Sequence, residues 1–255
     1  MKKLLILPTL ILFFASFVPA QEKTAAPEKT EAPKPAAEEK VKLPAAGEIF
    51  SRHIEAAGGR AAFEKIKSRR THGTVDLPAM GFKGTFEMLA KYPDKSFVSI
   101  TLDGFGEINE SFDGTEAWAR NPLQGVRVKT GRELEQVKKT VDFYYDLNLE
   151  KNYPAAKVTG IEKIDGAETY VVKADEDTTL YFDKKSGLMT RMDMIVSSPE
   201  GRINSVTRFE DFRVIDGVKQ AFTFRQSAIG AEFILKVLEI KHNVDIPDER
   251  FSKPK

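Results

Sequence analysis

Phe82-Lys-Gly-Thr-Phe-Glu-Met-Leu-Ala-Lys-Tyr92 sets the reading of the whole chain. Phe82, Gly84, Phe86, Met88, Ala90 and Tyr92 fall on one face of an extended segment, and Lys83, Thr85, Glu87 and Lys91 fall on the other. A period of two with one apolar side is the pattern of a half-buried antiparallel strand. The same alternation returns in Leu188 to Val196, where Leu188, Met192, Met194 and Val196 oppose Arg191 and Asp193. Between such runs stand Asp103-Gly104, Asp113-Gly114, Asp165-Gly166, Ser186-Gly187, Glu200-Gly201 and Asp216-Gly217, dipeptides that close hairpins. The spacing predicts a meander of about ten strands, too many for a flat open sheet, so that it closes or half-closes into a barrel.

Helical spacing is confined to three places. Ile49, Phe50, His53, Ile54 and Ala57 share a helix face that ends at Gly58-Gly59, and Arg60 to Ile66 forms a second short helix with Ala62, Phe63 and Ile66 inward. Gly131 to Leu149 loses the alternation and sets Leu134, Val137, Val141 and Leu147 near helical spacing, with Lys138 and Lys139 opposite. The expected order is two helices, about five strands, one helix and five or six more strands, with the helices at the open side of the barrel.

Upstream of this domain, Met1-Lys2-Lys3, an apolar run from Leu4 to Phe17 and Val18-Pro19-Ala20 make a signal peptide over residues 1–20. The run is shorter than a membrane-spanning helix requires, which points to an exported protein, with the periplasm as its expected compartment. Residues 21–44 are an Ala/Pro/Lys/Glu-rich tail with almost nothing to bury, and the folded domain is expected over 45–255. The chain has no cysteine, which excludes disulfides, thiolate metal sites, a Cys nucleophile and a lipid-modified N-terminal Cys. Loss of Lys2 and Lys3 with the signal moves the formal charge from +1 to −1. Acids and bases are interspersed, leaving no basic stripe for a phosphate backbone, so no nucleic-acid partner is expected.

Several short stretches, taken in order, resemble one family. Ala57-Gly58-Gly59 with Ile66, Gly73-Thr74 followed by Met80-Gly81-Phe82-Lys83-Gly84, Phe112-Asp113-Gly114-Thr115-Glu116-Ala117-Trp118 and Gly131-Arg132-Glu133-Leu134 form the first half. Tyr181-Phe182-Asp183 with Ser186-Gly187-Leu188, Phe212-Arg213 with Asp216-Gly217-Val218, and Asn243-Val244 with Phe251 form the second. Together they are similar to exported outer-membrane lipoprotein-sorting proteins of the LolA/LolB-like superfamily. The resemblance implies a mainly β, α+β fold: an unclosed antiparallel β-barrel of about ten to eleven strands, with helices covering the open, concave side. It implies that this face holds lipid or the acyl chains of lipoproteins during transfer, with transient contact to membrane-bound donor or acceptor proteins. Acceptors of the superfamily are anchored through a lipidated Cys; this chain has none, which favours a shuttle-like or free binding role.

Adaptable apolar side chains on the predicted strands supply a candidate lipid-binding lining: Phe86, Met88, Phe97, Trp118, Met192, Met194, Phe222, Phe224 and Phe233. The plainer alternative for each is that it fills the core. Trp118, directly after an Asp-Gly turn, is read either at the cavity mouth or at the edge of the core, and Phe143-Tyr144-Tyr145 either as a lid or as fixed packing. Catalysis finds little support. His53, His72 and His242 are scattered without HExxH spacing, there is no GxSxG elbow or phosphate loop, and no metal or cofactor is expected. Two rivals to a lipid carrier stay open: a protein-interaction module of the cell envelope, and a hydrolase, which requires carboxylates or histidines converging in the cavity.

Overall fold

The computed structural model describes residues 42–198, 201–228 and 230–254. The signal peptide and most of the tail lie outside the described residues. Helices α1 (Ala46–Ala56) and α2 (Arg60–Phe63) come first. Six strands follow: β1 (Ser68–Leu77), β2 (Phe82–Lys91), β3 (Lys95–Leu102), β4 (Gly106–Phe112), β5 (Ala117–Asn121) and β6 (Gly125–Val128). Helix α3 (Gly131–Thr140), a 3-10 turn at Tyr145–Asn148 and helix α4 (Leu149–Asn152) separate them from the second block. That block holds β7 (Lys157–Ile164), β8 (Ala167–Lys173), β9 (Thr178–Asp183), β10 (Met189–Ser198), β11 (Gly201–Ile215), β12 (Val218–Ala228) and β13 (Ala231–His242).

All thirteen strands belong to one antiparallel sheet in the order β6-β5-β4-β3-β2-β1-β13-β12-β11-β10-β9-β8-β7. Two meanders are thus joined where the first strand meets the last, Thr71 opposite Ile240. The sheet does not close, because β6 and β7 are its two edges. The chain between them, α3 to α4, must therefore cross the face of the sheet.

That the sheet curls follows from what α3 touches. Val137 and Val141 share one buried cluster with Phe112, Ala117 and Val196, from β4, the start of β5 and β10. Six strands lie between β4 and β10 in the sheet order. In a flat sheet, at about 4.8 Å per strand, they would stand some 34 Å apart. A single helix spans them only if the sheet folds around it. Gln136 fixes the helix there: its Nε2 donates to Ile195 O at 2.8 Å and its Oε1 accepts from Ser197 N at 2.8 Å, so one side-chain amide satisfies main-chain groups at the end of β10.

Helix α1 covers the other part of the same face. Ala46, Ile49 and Phe50 pack with Leu180, Phe182 and Met192, each burial contributing roughly 1.5 to 3 kcal/mol for the larger side chains. The helix ends where the sequence places its glycine pair. A Cβ on Gly58 would stand 2.1 Å from Gly217 O, so only glycine lets the helix end press on the β11–β12 turn, where Lys219 N donates to Ala57 O at 2.7 Å. Gly73 has a similar role within the sheet, lying at a register shift of β1 where the Phe86 ring and Lys236 O occupy the space of a side chain.

Two expectations need correction. The sheet has thirteen strands, against the ten to eleven expected. The β5–β6 hairpin turns without an Asp-Gly signal, on Asn121, whose Oδ1 accepts the N–H groups of Leu123 and Gln124 at 2.9 Å each. The predicted helix over 131–149 is broken after Thr140. Asp142 interrupts it by accepting from Tyr144 N at 3.1 Å and from the side chains of Asn148 and Asn152, an alternative to the helical ladder.

Candidate functional site: a roofed cavity on the curled face

Between the sheet and its helical cover lies a cavity of about 270 Å³. Its floor comes from adjacent strands, with Thr71 on β1, Met88 and Ala90 on β2, Phe224 on β12 and Val237 and Ile240 on β13. Met189, Met192, Phe209 and Phe212 extend it across β10 and β11. The roof is made by His53 of α1, Phe63 and Ile66 around the end of α2, and the irregular stretch 140–146. Apolar groups therefore dominate, and flexible thioethers and the edge-to-face pair Phe209–Phe224, with centroids 5.8 Å apart, give the wall an adaptable surface.

The roof is held by polar bonds. Tyr144 OH donates to Ile66 O and accepts from Lys67 Nζ, both at 2.9 Å, while Phe143 N donates to Pro93 O at 3.0 Å. Tyr145 OH meets Tyr153 OH at 3.0 Å; burial, and then the neighbouring phenol, push the Tyr145 hydroxyl well above its ordinary pKa. The Phe143-Tyr144-Tyr145 cluster is thus bonded into the surrounding structure.

His53 joins roof to floor. Its Nδ1 accepts the Met189 N–H at 3.2 Å and its Nε2 meets Asp146 Oδ1 at 3.4 Å. Burial pushes the Asp146 carboxyl upward, but the His53 hydrogen bond and charge, with Arg69, hold it below the ordinary carboxylate range. Both ring nitrogens of His53 are engaged. His242 is likewise held between Asp216 at 2.8 Å and Gln220 at 3.1 Å, and His72 faces Glu239. Among the described residues no group of side chains has the makings of a metal site.

Arg69 faces the cavity without such an arrangement. Arg69 of β1, opposite Ala90 of β2, lines the space, and its guanidinium carbon lies 5.9 Å from the centre of the Phe143 ring. Water entering the cavity reaches part of it, yet surrounding protein lowers its pKa, burial outweighing the opposing charge of Asp146. Arginine remains protonated regardless.

Of the nine residues proposed as a lipid-binding lining, Met88, Met192 and Phe224 border the cavity. Phe86, Phe222 and Phe233 are buried in the cluster with Val75, Ile100 and Leu235, and Met194 packs partly buried against the clusters under α1 and α3. Phe97 and Trp118 lie on the opposite face. They share it with Leu89, which pairs in register with Phe97, and are covered by the C-terminal segment: Phe97 packs against Leu89, Ile246 and Phe251, and Trp118 Nε1 donates to Phe251 O at 2.9 Å. Trp118 is only 2% exposed, so it does not sit at the cavity mouth. Arg69 went unread in the sequence, although a signal existed: strict alternation in β1 sets it on the same side as Thr71, Gly73, Val75 and Leu77.

The architecture has counterparts among solved structures. A DUF1329 family protein from Desulfovibrio piger superposes with a TM-score of 0.54 at 13% identity, covering 81% of this chain and 96% of the other. A LolA superfamily protein from Nitrosomonas europaea gives 0.53 at 17% identity, covering 83% and 99%. The fold is LolA-like. At these identities the likeness concerns the fold alone. No protein-family model matches the chain, and no curated protein matches it in sequence. Among the described residues no helix is long and apolar enough to cross a membrane.

Proposed function

We propose that this is an exported, non-catalytic carrier that holds an acyl chain of a lipid or lipoprotein in the cavity between the curled sheet and its helical roof. The observation that carries the reading is the cavity itself. A LolA-like sheet of thirteen strands stays open, and the space under its cover is lined by Met88, Met189, Met192, Phe209 and Phe224, side chains suited to chains of variable shape. A purely structural role for the fold offers no reason to leave this volume unfilled, since interiors otherwise pack closely. The reading of residues 1–20 as a signal peptide supports export to the cell envelope, with the periplasm as the compartment. A non-catalytic role accords with the bonding of His53, the histidine at the cavity, whose ring nitrogens both meet protein partners.

Native mass spectrometry with lipid extraction, on protein purified from the envelope without harsh detergent, tests this directly. A near-stoichiometric acylated species is the expected result. A bare polypeptide mass, together with no uptake from phospholipid vesicles, would overturn the proposal in favour of a docking module.

A further inference from the structure

Arg69 faces the cavity from the middle of the sheet with, among the described residues, no side chain in direct contact with its charge except the Phe143 ring. Asp142 accepts from Tyr144 N, Asn148 and Asn152, and Asp146 is engaged by His53. Among the described residues no acceptor lies within hydrogen-bond or ion-pair distance of the Arg69 guanidinium, whose contact is with the Phe143 ring. A guanidinium that cannot shed its proton carries a desolvation cost here that the Asp146 charge only partly offsets, and an anionic ligand group would complete it. Its planar fork of donors matches a carboxylate or phosphate in bidentate fashion.

We infer that Arg69 is the headgroup-recognition point of the cavity, and that the ligand is a single-chain amphiphile with an anionic head, carboxylate or phosphate. This rests on the acyl-chain reading above. At about 270 Å³ the cavity lies at the small end of ligand pockets, which agrees with one chain rather than two or three long tails. Arg69 lines this space beside the Phe143 ring, while Met88, Met192 and Phe224 supply apolar wall. The head pairs with the guanidinium as the tail lies along the sheet.

The test holds the tail constant and changes the head. Laurate, lauroyl lysophosphatidylglycerol, dodecanol and dodecyltrimethylammonium are titrated calorimetrically, below their micellar concentrations, into the purified protein. At least one anionic probe is expected to bind about tenfold or more tighter than dodecanol, as a charge-assisted bidentate pair demands, with the cation weakest. Whether laurate or the lysophospholipid binds tighter separates a free fatty acid from a lipid headgroup as the source. Arg69→Gln should bring the anionic probes down to the dodecanol affinity while leaving dodecanol itself within about twofold, and Arg69→Lys should keep part of the preference. Equal affinity for all heads overturns this inference and leaves the carrier reading intact. Binding of none overturns both. Equal weakening of laurate and dodecanol by Arg69→Gln also overturns it, because the arginine would then be shaping the cavity. The head series on the unaltered protein decides the matter should the glutamine variant not fold.

Discussion

Lys129 Nζ lies 2.9 Å from Glu110 Oε2 with both side chains inside the protein, at 0% and 2% exposure. The same ammonium lies 3.6 Å from Glu133 Oε1, and Glu133 in turn holds Arg127 through two bonds of 2.7 and 2.8 Å. This cluster sits where β6, the free edge of the sheet, runs into α3. It ties the first turn of the covering helix to the strands beneath it, and so fixes one end of the cavity roof.

Burial pushes the Glu110 carboxyl up to about 8, with Lys129 pulling the other way. A folded value above the unfolded one, near 4.3, means that the native state keeps a proton the unfolded chain has released. The resulting stabilisation is fully present below the unfolded value and is lost as pH rises through about 8. Urea midpoints should therefore fall between pH 5 and 8, by at most about 1.4 kcal/mol per pH unit from this group. Glu110→Gln should flatten that slope, and an unchanged slope would remove Glu110 as its source.

Glu133 contacts two cations of the cluster, Lys129 and Arg127. Glu133→Gln removes the carboxylate that both contact, a loss of roughly 3 to 5 kcal/mol for a buried pair broken on one side. Equilibrium urea unfolding measures it. A cost below about 1 kcal/mol would class the cluster with surface ion pairs.

What the sequence disclosed and what it withheld divide along physical lines. Hairpins closed by Asp-Gly or Ser-Gly could be read because those pairs supply the positive φ that tight turns need, as at Gly104, Gly166, Gly187 and Gly217. The turn at Asn121 and the break at Asp142 depend on side chains bonding nearby main-chain N–H groups, chemistry that many exposed Asn and Asp residues offer and few use. The cavity was legible only in part, because alternation assigns a residue to a face and not to a hollow. Phe86 and Met88 share a face of β2, yet Phe86 is 3% exposed in the filled end of the core and Met88 borders the space. Phe97 and Trp118 were misplaced for a related reason: the opposite face of β3 and β5 is also buried, under the C-terminal segment, so apolar residues there looked like cavity candidates.

That division can be tested by substitution on β2. Ala90 borders the cavity, so Ala90→Phe should fill it and reduce laurate binding about tenfold or more while the protein stays folded. Phe86→Ala opens a void in the packed cluster and should cost roughly 3 to 5 kcal/mol. Loss of stability in the first variant with retained binding would place the hollow elsewhere.

Arg69 should carry a stability cost of its own. If the fold retains an unsatisfied guanidinium for a ligand, Arg69→Met should stabilise the ligand-free protein by roughly 1 kcal/mol, the trade expected when a binding group is kept at the expense of the core. For a domain of this size that corresponds to a rise in Tm of about 2 to 4 °C. Differential scanning calorimetry of the two proteins, freed of lipid, reads it. Destabilisation would show that Arg69 holds the roof together.

Trp118 offers an internal reporter because it is the only tryptophan and it lies on the face away from the cavity. Its ring packs beside Phe97, with centroids 6.3 Å apart, and its indole N–H is bonded to the carbonyl of Phe251, a residue fully buried at the end of the chain. Its emission should be blue-shifted and insensitive to added laurate, since the sheet separates it from the ligand. Phe251→Ala removes the ring that anchors the C-terminal segment over Trp118 and Leu89, at a cost of roughly 3 to 5 kcal/mol. With that cover loosened, water reaches the indole, and the emission maximum should move to longer wavelength under conditions where far-ultraviolet circular dichroism still reports a folded sheet. A shift on laurate addition alone would mean that ligand binding in the cavity is transmitted through the sheet to the C-terminal cover.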